Sequence, residues 1–129
     1  MSLQQNSPAV AAAQAHVEAW SRRDYDAARA ALAADVWVTA TAADPTFPKT
    51  DLNGADAYMQ GLTQYAEGIV PGSTEVVQAV GDDTRALLLV NARAKFGPDA
   101  PELDAPAARM YVFDENGKIK IEHVLFFLS

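Results

Sequence analysis

The chain has 129 residues, with 10 lysines and arginines against 17 aspartates and glutamates, a net charge of -7 and no cysteine. That length is one domain, able to bury roughly two-thirds of its unfolded surface without covalent staples. The acidic balance, with no basic cluster beyond Arg22-Arg23, argues against a nucleic-acid partner; the missing cysteines exclude disulfides and thiolate metal sites; no apolar run approaches the roughly 18 residues of a membrane span.

Residues 1–7 are polar and expected to fray, leaving one domain over 8–129. Ser7-Pro8 reads as an N-cap and a first-turn proline, and Val10, Ala13, Val17 and Trp20 recur at helical spacing, so a helix is expected over 8–22. Asp24 caps a second, short helix through Leu32. The β-rich run 35–41, with Trp37, Thr39 and Thr41 on one face, predicts a strand, and Pro45 and Pro48 mark a surface loop over 42–52. Asn53 is placed to cap a third helix whose inward positions include Tyr58, Met59, Leu62 and Tyr65, ended by Gly68 and Pro71-Gly72.

Strands are then expected over 74–80, 85–96, 107–113 and 118–128, with the proline-rich stretch 97–106 as a connection. Asn116-Gly117 is a strong hairpin signal between the last two. In the final strand strict alternation puts Ile119, Ile121, His123, Leu125 and Phe127 on one side, with Lys120 and Glu122 opposite as a solvated pair; a bulge would turn Glu122. Arg109, Tyr111 and Phe113 share a face and are expected to join His123 in one cavity wall. Leu87 to Val90 are apolar on both faces, one for the interior and the other for a partner subunit or covering loops. The order of elements predicts a segregated α+β domain: a curved, mostly antiparallel sheet wrapped around the long first helix, with two further helices, enclosing a pocket.

Val17-Glu18-Ala19-Trp20-Ser21-Arg22-Arg23-Asp24-Tyr25-Asp26, then Leu32-Ala33-Ala34-Asp35-Val36, Gly54 with Tyr58, and Gly117-Lys118-Ile119 carry a resemblance. In order and spacing they resemble the nuclear transport factor 2-like superfamily, in its polyketide cyclase-like (SnoaL-like) and ketosteroid isomerase-like branch. The resemblance implies a cone-shaped sheet with an open mouth and a homodimer paired through outer sheet faces. It also implies positions for catalytic groups, and there this chain departs. The isomerase's proton-moving aspartate falls at Ala40, its tyrosine donor at His16 and its protonated aspartic acid at Arg109. The acid of cyclase-like and epoxide hydrolase-like relatives falls at Val124, two residues from Glu122.

Two residues are the candidates for catalysis. His16 either projects into the cavity as donor or general base, or is a boundary histidine with one hydrogen bond. Arg109 either anchors a carboxylate, enolate or carbonyl oxygen, or forms a salt bridge to Glu122, Asp104 or Glu102. Trp20, Trp37, Thr39, Tyr58, Asn91, Tyr111 and His123 are the candidate ligand contacts, each with a plain core or interface role as the alternative. The two histidines have no metal-ligand spacing, so neither metal nor cofactor is expected. Two readings stay open: a cofactor-independent isomerase, cyclase or hydratase acting on a mostly apolar carbonyl compound, and a non-catalytic dimeric module that binds such a molecule. The cysteine-free composition and an N-terminus without a basic and apolar leader pattern lead us to expect a cytoplasmic protein.

Overall fold

The structure, a computed structural model, describes residues 3–127. Helix α1 (Pro8–Ser21) starts where Ser7 accepts a hydrogen bond from the Val10 amide, and α2 (Tyr25–Ala30) where Asp24 accepts from Ala27. Strands β1 (Leu32–Ala42) and β2 (Thr50–Asn53) lead to α3 (Ala55–Glu67). The chain continues through β3 (Glu75–Gly81), β4 (Arg85–Asn91), the short β5 (Arg93–Ala94) and β6 (Leu103–Asp104), then β7 (Ala107–Phe113) and β8 (Ile119–Phe126). Six strands form one sheet in the order β2-β1-β8-β7-β4-β3. Only β1 and β8 run parallel.

The expected α+β layout is the one formed. Val10, Ala13, Val17 and Trp20 of α1 are buried with Leu88, Val90, Tyr111 and Ile119 of the sheet. Helix α3 packs on β1 and β2 at the sheet's other end.

Several local expectations need correction. The segment before α1 is anchored: Gln4 exchanges two backbone hydrogen bonds of 2.7 Å with Gly81, while Met1 and Ser2 lie outside the described residues. Part of the predicted loop 42–52 is β2, because Thr50–Asn53 finds a partner in β1. Gly54, at φ 95°, takes the cap position of α3 instead of Asn53, since the chain turns there through a backbone region that favours glycine. The long strand 85–96 breaks at Ala92, whose carbonyl turns to the Ala105 amide, and β5 pairs with β6 in a separate ribbon. The last strand ends at Phe126; Leu128 lies outside the described residues.

One irregularity decides which side chains face inward. Val112 pairs with Ile121 but Phe113 pairs with Ile119, so Lys120 is an extra residue, a β-bulge. The bulge resets the alternation of β8. Ile119 is buried, and beyond the bulge Glu122, Val124 and Phe126 point inward while Ile121, His123 and Leu125 point outward.

Candidate functional site

The sheet and α3 enclose a cavity of about 360 Å3. Its mouth is framed by Phe47 from the β1–β2 connection, Thr50 at the start of β2 and Phe96 after β5; Tyr65 and Leu62 of α3 form one wall and Val38 and Val124 the other, and the Phe126 ring meets that of Tyr65 at 5.6 Å between centroids. At its closed end three polar side chains meet: Tyr58 from α3, Arg109 from β7 and Glu122 from β8. An apolar hollow with a few convergent polar groups is the usual form of a small-molecule site.

Alternation in β7 aims Arg109 and Tyr111 at the interior, and the register sets Tyr111 opposite Glu122 and Arg109 opposite Val124. The Arg109 and Glu122 side chains are 4% and 2% exposed and form an ion pair, Nη1 to Oε2, at 3.3 Å. The Tyr58 hydroxyl donates to the other carboxylate oxygen, Oε1. His16 Nε2 lies 2.8 Å from that hydroxyl. Because the Tyr58 hydroxyl gives its single proton to Glu122, the imidazole must donate to the Tyr58 oxygen, which puts the ring proton on Nε2.

The guanidinium of Arg109 lies 5.0 Å from the Trp20 ring centroid, 5.2 Å from Tyr65 and 5.8 Å from Phe126. Such a cage stabilises a cation through the ring quadrupoles. It leaves the hydrogen-bonding capacity of Arg109 largely unspent: among the described residues Nε has no partner, and the contact to Glu122 is its single side-chain bond. Trp20 Nε1 and the Tyr111 hydroxyl are also buried without a partner among the described residues.

Burial shifts the titration of this cluster. It lowers the His16 pKa, Glu122 opposes and Arg109 reinforces, so the ring is neutral at pH 7. Burial and then the Glu122 charge push Tyr58 and Tyr111 well above the ordinary phenol range. Burial works against the Arg109 charge, but the surrounding oxygens of Tyr65, Tyr111, Glu122 and Tyr58 outweigh it.

The His16 shift has a measurable sign. The unfolded chain takes up a proton near the ordinary value of 6.5 that the folded protein refuses, so this contribution to stability is full above 6.5 and is lost as pH falls through the lowered folded value. Urea denaturation from about pH 8 to about pH 5 is expected to show stability falling more steeply for the wild type than for His16→Gln. Equal slopes would mean that the folded protein takes up the His16 proton as readily as the unfolded chain.

The residues singled out from sequence divide into two groups. His16, Arg109, Tyr58 and Tyr111 come together, with Trp20 beneath Arg109. Of these, Tyr58 and Arg109 line the cavity, and His16 stands behind Tyr58. Trp37, Thr39, Asn91 and His123 lie on the opposite, outer face and need correction. Trp37 and Thr39 sit in register with Ile121 and His123, all outward after the bulge, and Asn91 continues the outward row of Leu87 and Leu89. There His123 Nδ1 is 2.6 Å from Thr39 Oγ1, and Trp37 packs edge-on against the imidazole. Glu122, read as half of a solvated pair with Lys120, is buried at the cavity floor. Of the open partners for Arg109, Glu122 is the one it takes; Glu102 and Asp104 bind Arg93. Tyr65, an expected inward position of α3, joins the cavity lining, and Phe47, Phe96 and Phe126 line it without having stood among the expected contacts.

Among the described residues no group of three or more metal-ligating side chains is assembled, and no helix is long and apolar enough to cross a membrane. No curated protein matches the chain. Among solved structures, a protein from Kribbella flavida is 27% identical, covering 94% of this chain and 88% of its own, with a TM-score of 0.76. A Catenulispora acidiphila protein with a ketosteroid isomerase-like fold, in complex with trimethylamine, is 14% identical over 96% of this chain and 89% of its own, with a TM-score of 0.76. An LEH-like epoxide hydrolase from M. tuberculosis is 19% identical over 92% of this chain and 82% of its own, with a TM-score of 0.69. The last two show likeness of fold alone. The sequence pattern of the SnoaL-like domain matches residues 13–121, from within α1 to the residue before Glu122. That span takes in all three helices and most of the sheet, and on it the chain belongs to the family of SnoaL-like domains.

Proposed function

We propose that this protein moves a proton at the carbon beside a carbonyl group of a mostly apolar compound, the step that isomerases, cyclases and hydratases of such compounds share. The observation that carries the reading is the Tyr58–Glu122–Arg109 cluster at the closed end of an apolar cavity. A carbonyl oxygen seated there accepts from Arg109, whose donors are mostly free. Glu122 takes the α-proton, and the electron pair moves onto oxygen to give an enolate. Arg109 stabilises that charge where water is excluded, and Tyr58, released when Glu122 becomes a neutral acid, turns its hydroxyl to the same oxygen. His16 acts through Tyr58 as a positioning residue. All of these groups belong to the chain, so the step calls for no cofactor.

The test is α-proton exchange. Acetophenone incubated in deuterated buffer is expected to lose its methyl proton signal faster with the protein than without it, and Glu122→Gln to abolish the acceleration. A second reading rests on the resting cluster, in which both Glu122 oxygens are engaged: the cavity binds a carbonyl compound and leaves it unchanged. Saturable binding with exchange at the buffer rate would establish that reading instead.

The outer sheet face supports a homodimer. Trp37, Leu87, Leu89, Met110 and Leu125 are large apolar side chains, each more than one-third exposed, on neighbouring strands. A second copy meeting this face would bury them. Sedimentation is expected to give a dimer for the wild type and a monomer for Leu89→Asp with Met110→Asp; a wild-type monomer overturns this assembly.

A further inference from the structure

The cavity mouth has an asymmetry that α3 creates as it ends. Phe96, 53% exposed, lines the opening and lies beside Tyr65, with ring centroids 6.3 Å apart. Its ring rests on Gly68. A methyl group built on Gly68 would come within 2.2 Å of two ring carbons of Phe96. Gly68 has an ordinary backbone conformation, φ -85°, so space for the ring, and not the turn, is what requires glycine there.

The backbone on either side is fixed. The Lys95 amide donates to the Gly68 carbonyl at 2.7 Å, the Val70 amide to the Arg93 carbonyl at 2.8 Å, and Ile69 pairs with Ala94. Arg93 holds the return of the loop through Glu102 at 2.5 Å and Asp104 at 2.6 Å. An exposed phenylalanine would ordinarily sample several rotamers. This one is mounted two residues past the pinned strand β5, against a flat seat, at the edge of an apolar hollow.

We propose that Phe96, seated on Gly68, sets the length of apolar ligand that the cavity accepts. The proposal rests on the reading above that the polar floor holds a carbonyl oxygen, because that end then fixes where the ligand starts. A molecule anchored at Arg109 and Tyr58 extends outward along the wall made by the contacting rings of Phe126 and Tyr65, 5.6 Å apart, and meets the Phe96 ring at the mouth. Methylenes that lie inside are buried, and those beyond the ring lie in water.

The test uses two series of increasing chain length, phenyl alkyl ketones from acetophenone upward and the alkylbenzenes of matching length. Affinities are measured by calorimetry for the wild type, Phe96→Ala and Gly68→Ala. In the wild type each added methylene is expected to tighten binding by up to about fourfold until the ring is reached, and then by nothing. Phe96→Ala is expected to move that limit to longer chains in both series. Gly68→Ala, which keeps the ring but removes its seat, is expected to do the same; should it fail to fold, Phe96→Ala alone decides. A limit that stays in place in Phe96→Ala overturns the proposal, and so does the absence of any limit in the wild type. A limit that moves while ketones bind no tighter than alkylbenzenes upholds the role of Phe96 and refutes the carbonyl reading of the floor. If neither series binds the wild type, both are refuted.

Discussion

Arg109→Met is expected to lower the stability of the fold by about 3–5 kcal/mol, the usual cost of removing one partner from a buried ion pair. The Arg109 side chain is 4% and the Glu122 side chain 2% exposed, so the carboxylate left behind is largely shielded from bulk solvent. It keeps one hydrogen bond, from Tyr58. The rings of Trp20, Tyr65 and Phe126 also lose the cation they surround. Arg109→Met combined with Glu122→Leu is expected to recover most of the loss, because apolar side chains of similar volume replace a desolvated pair at little net cost. Tyr58 then turns its hydroxyl proton to His16, which holds it from the other side. Chemical denaturation of both variants is the measurement. A double variant no more stable than the single one would show that the loss comes from packing around Arg109 and not from the stranded charge.

The second large effect falls on chemistry. Glu122→Gln keeps the shape of the side chain and an acceptor oxygen for Arg109 while removing the base. General-base catalysis contributes about 10²–10⁴-fold, and the catalysed exchange of acetophenone α-protons is expected to fall by that factor while ketone affinity changes little. Tyr58→Phe is expected to cost less, since Arg109 remains as the donor to the developing enolate. Exchange that persists in Glu122→Gln at the wild-type rate would remove Glu122 from the mechanism. The circular dichroism of each variant separates lost chemistry from lost fold.

The helices were legible because their signals are local. Ser7-Pro8 and Asp24 cap α1 and α2 as read, and the Asn116-Gly117 turn forms with Gly117 at φ 74°. Strands β2 and β6 are short and owe their existence to partners distant in sequence, which no window over 42–52 or 97–106 contains. The same distinction divides the site. Strand β7 is regular, so the shared face of Arg109 and Tyr111 followed from alternation. Strand β8 carries its bulge at Lys120, a product of pairing with β7, and every face read through that point was inverted. A signal was nonetheless present, for Val124 and Phe126 are in phase with Glu122 and far too apolar for a solvated row. Phe47 and Phe96 stand outside regular strands, where no period marks a side chain as facing a cavity.

The bulge at Lys120 also bears on how this architecture changes its chemistry over time. With it, the closing strand offers Glu122, Val124 and Phe126 to the hollow; one residue fewer before that point would offer Ile121, His123 and Leu125 in their place. The strand therefore holds two latent interiors, one acidic and one imidazole-bearing. A single-codon deletion or insertion exchanges them wholesale, a leap in reactivity that point substitutions would need several coordinated steps to match.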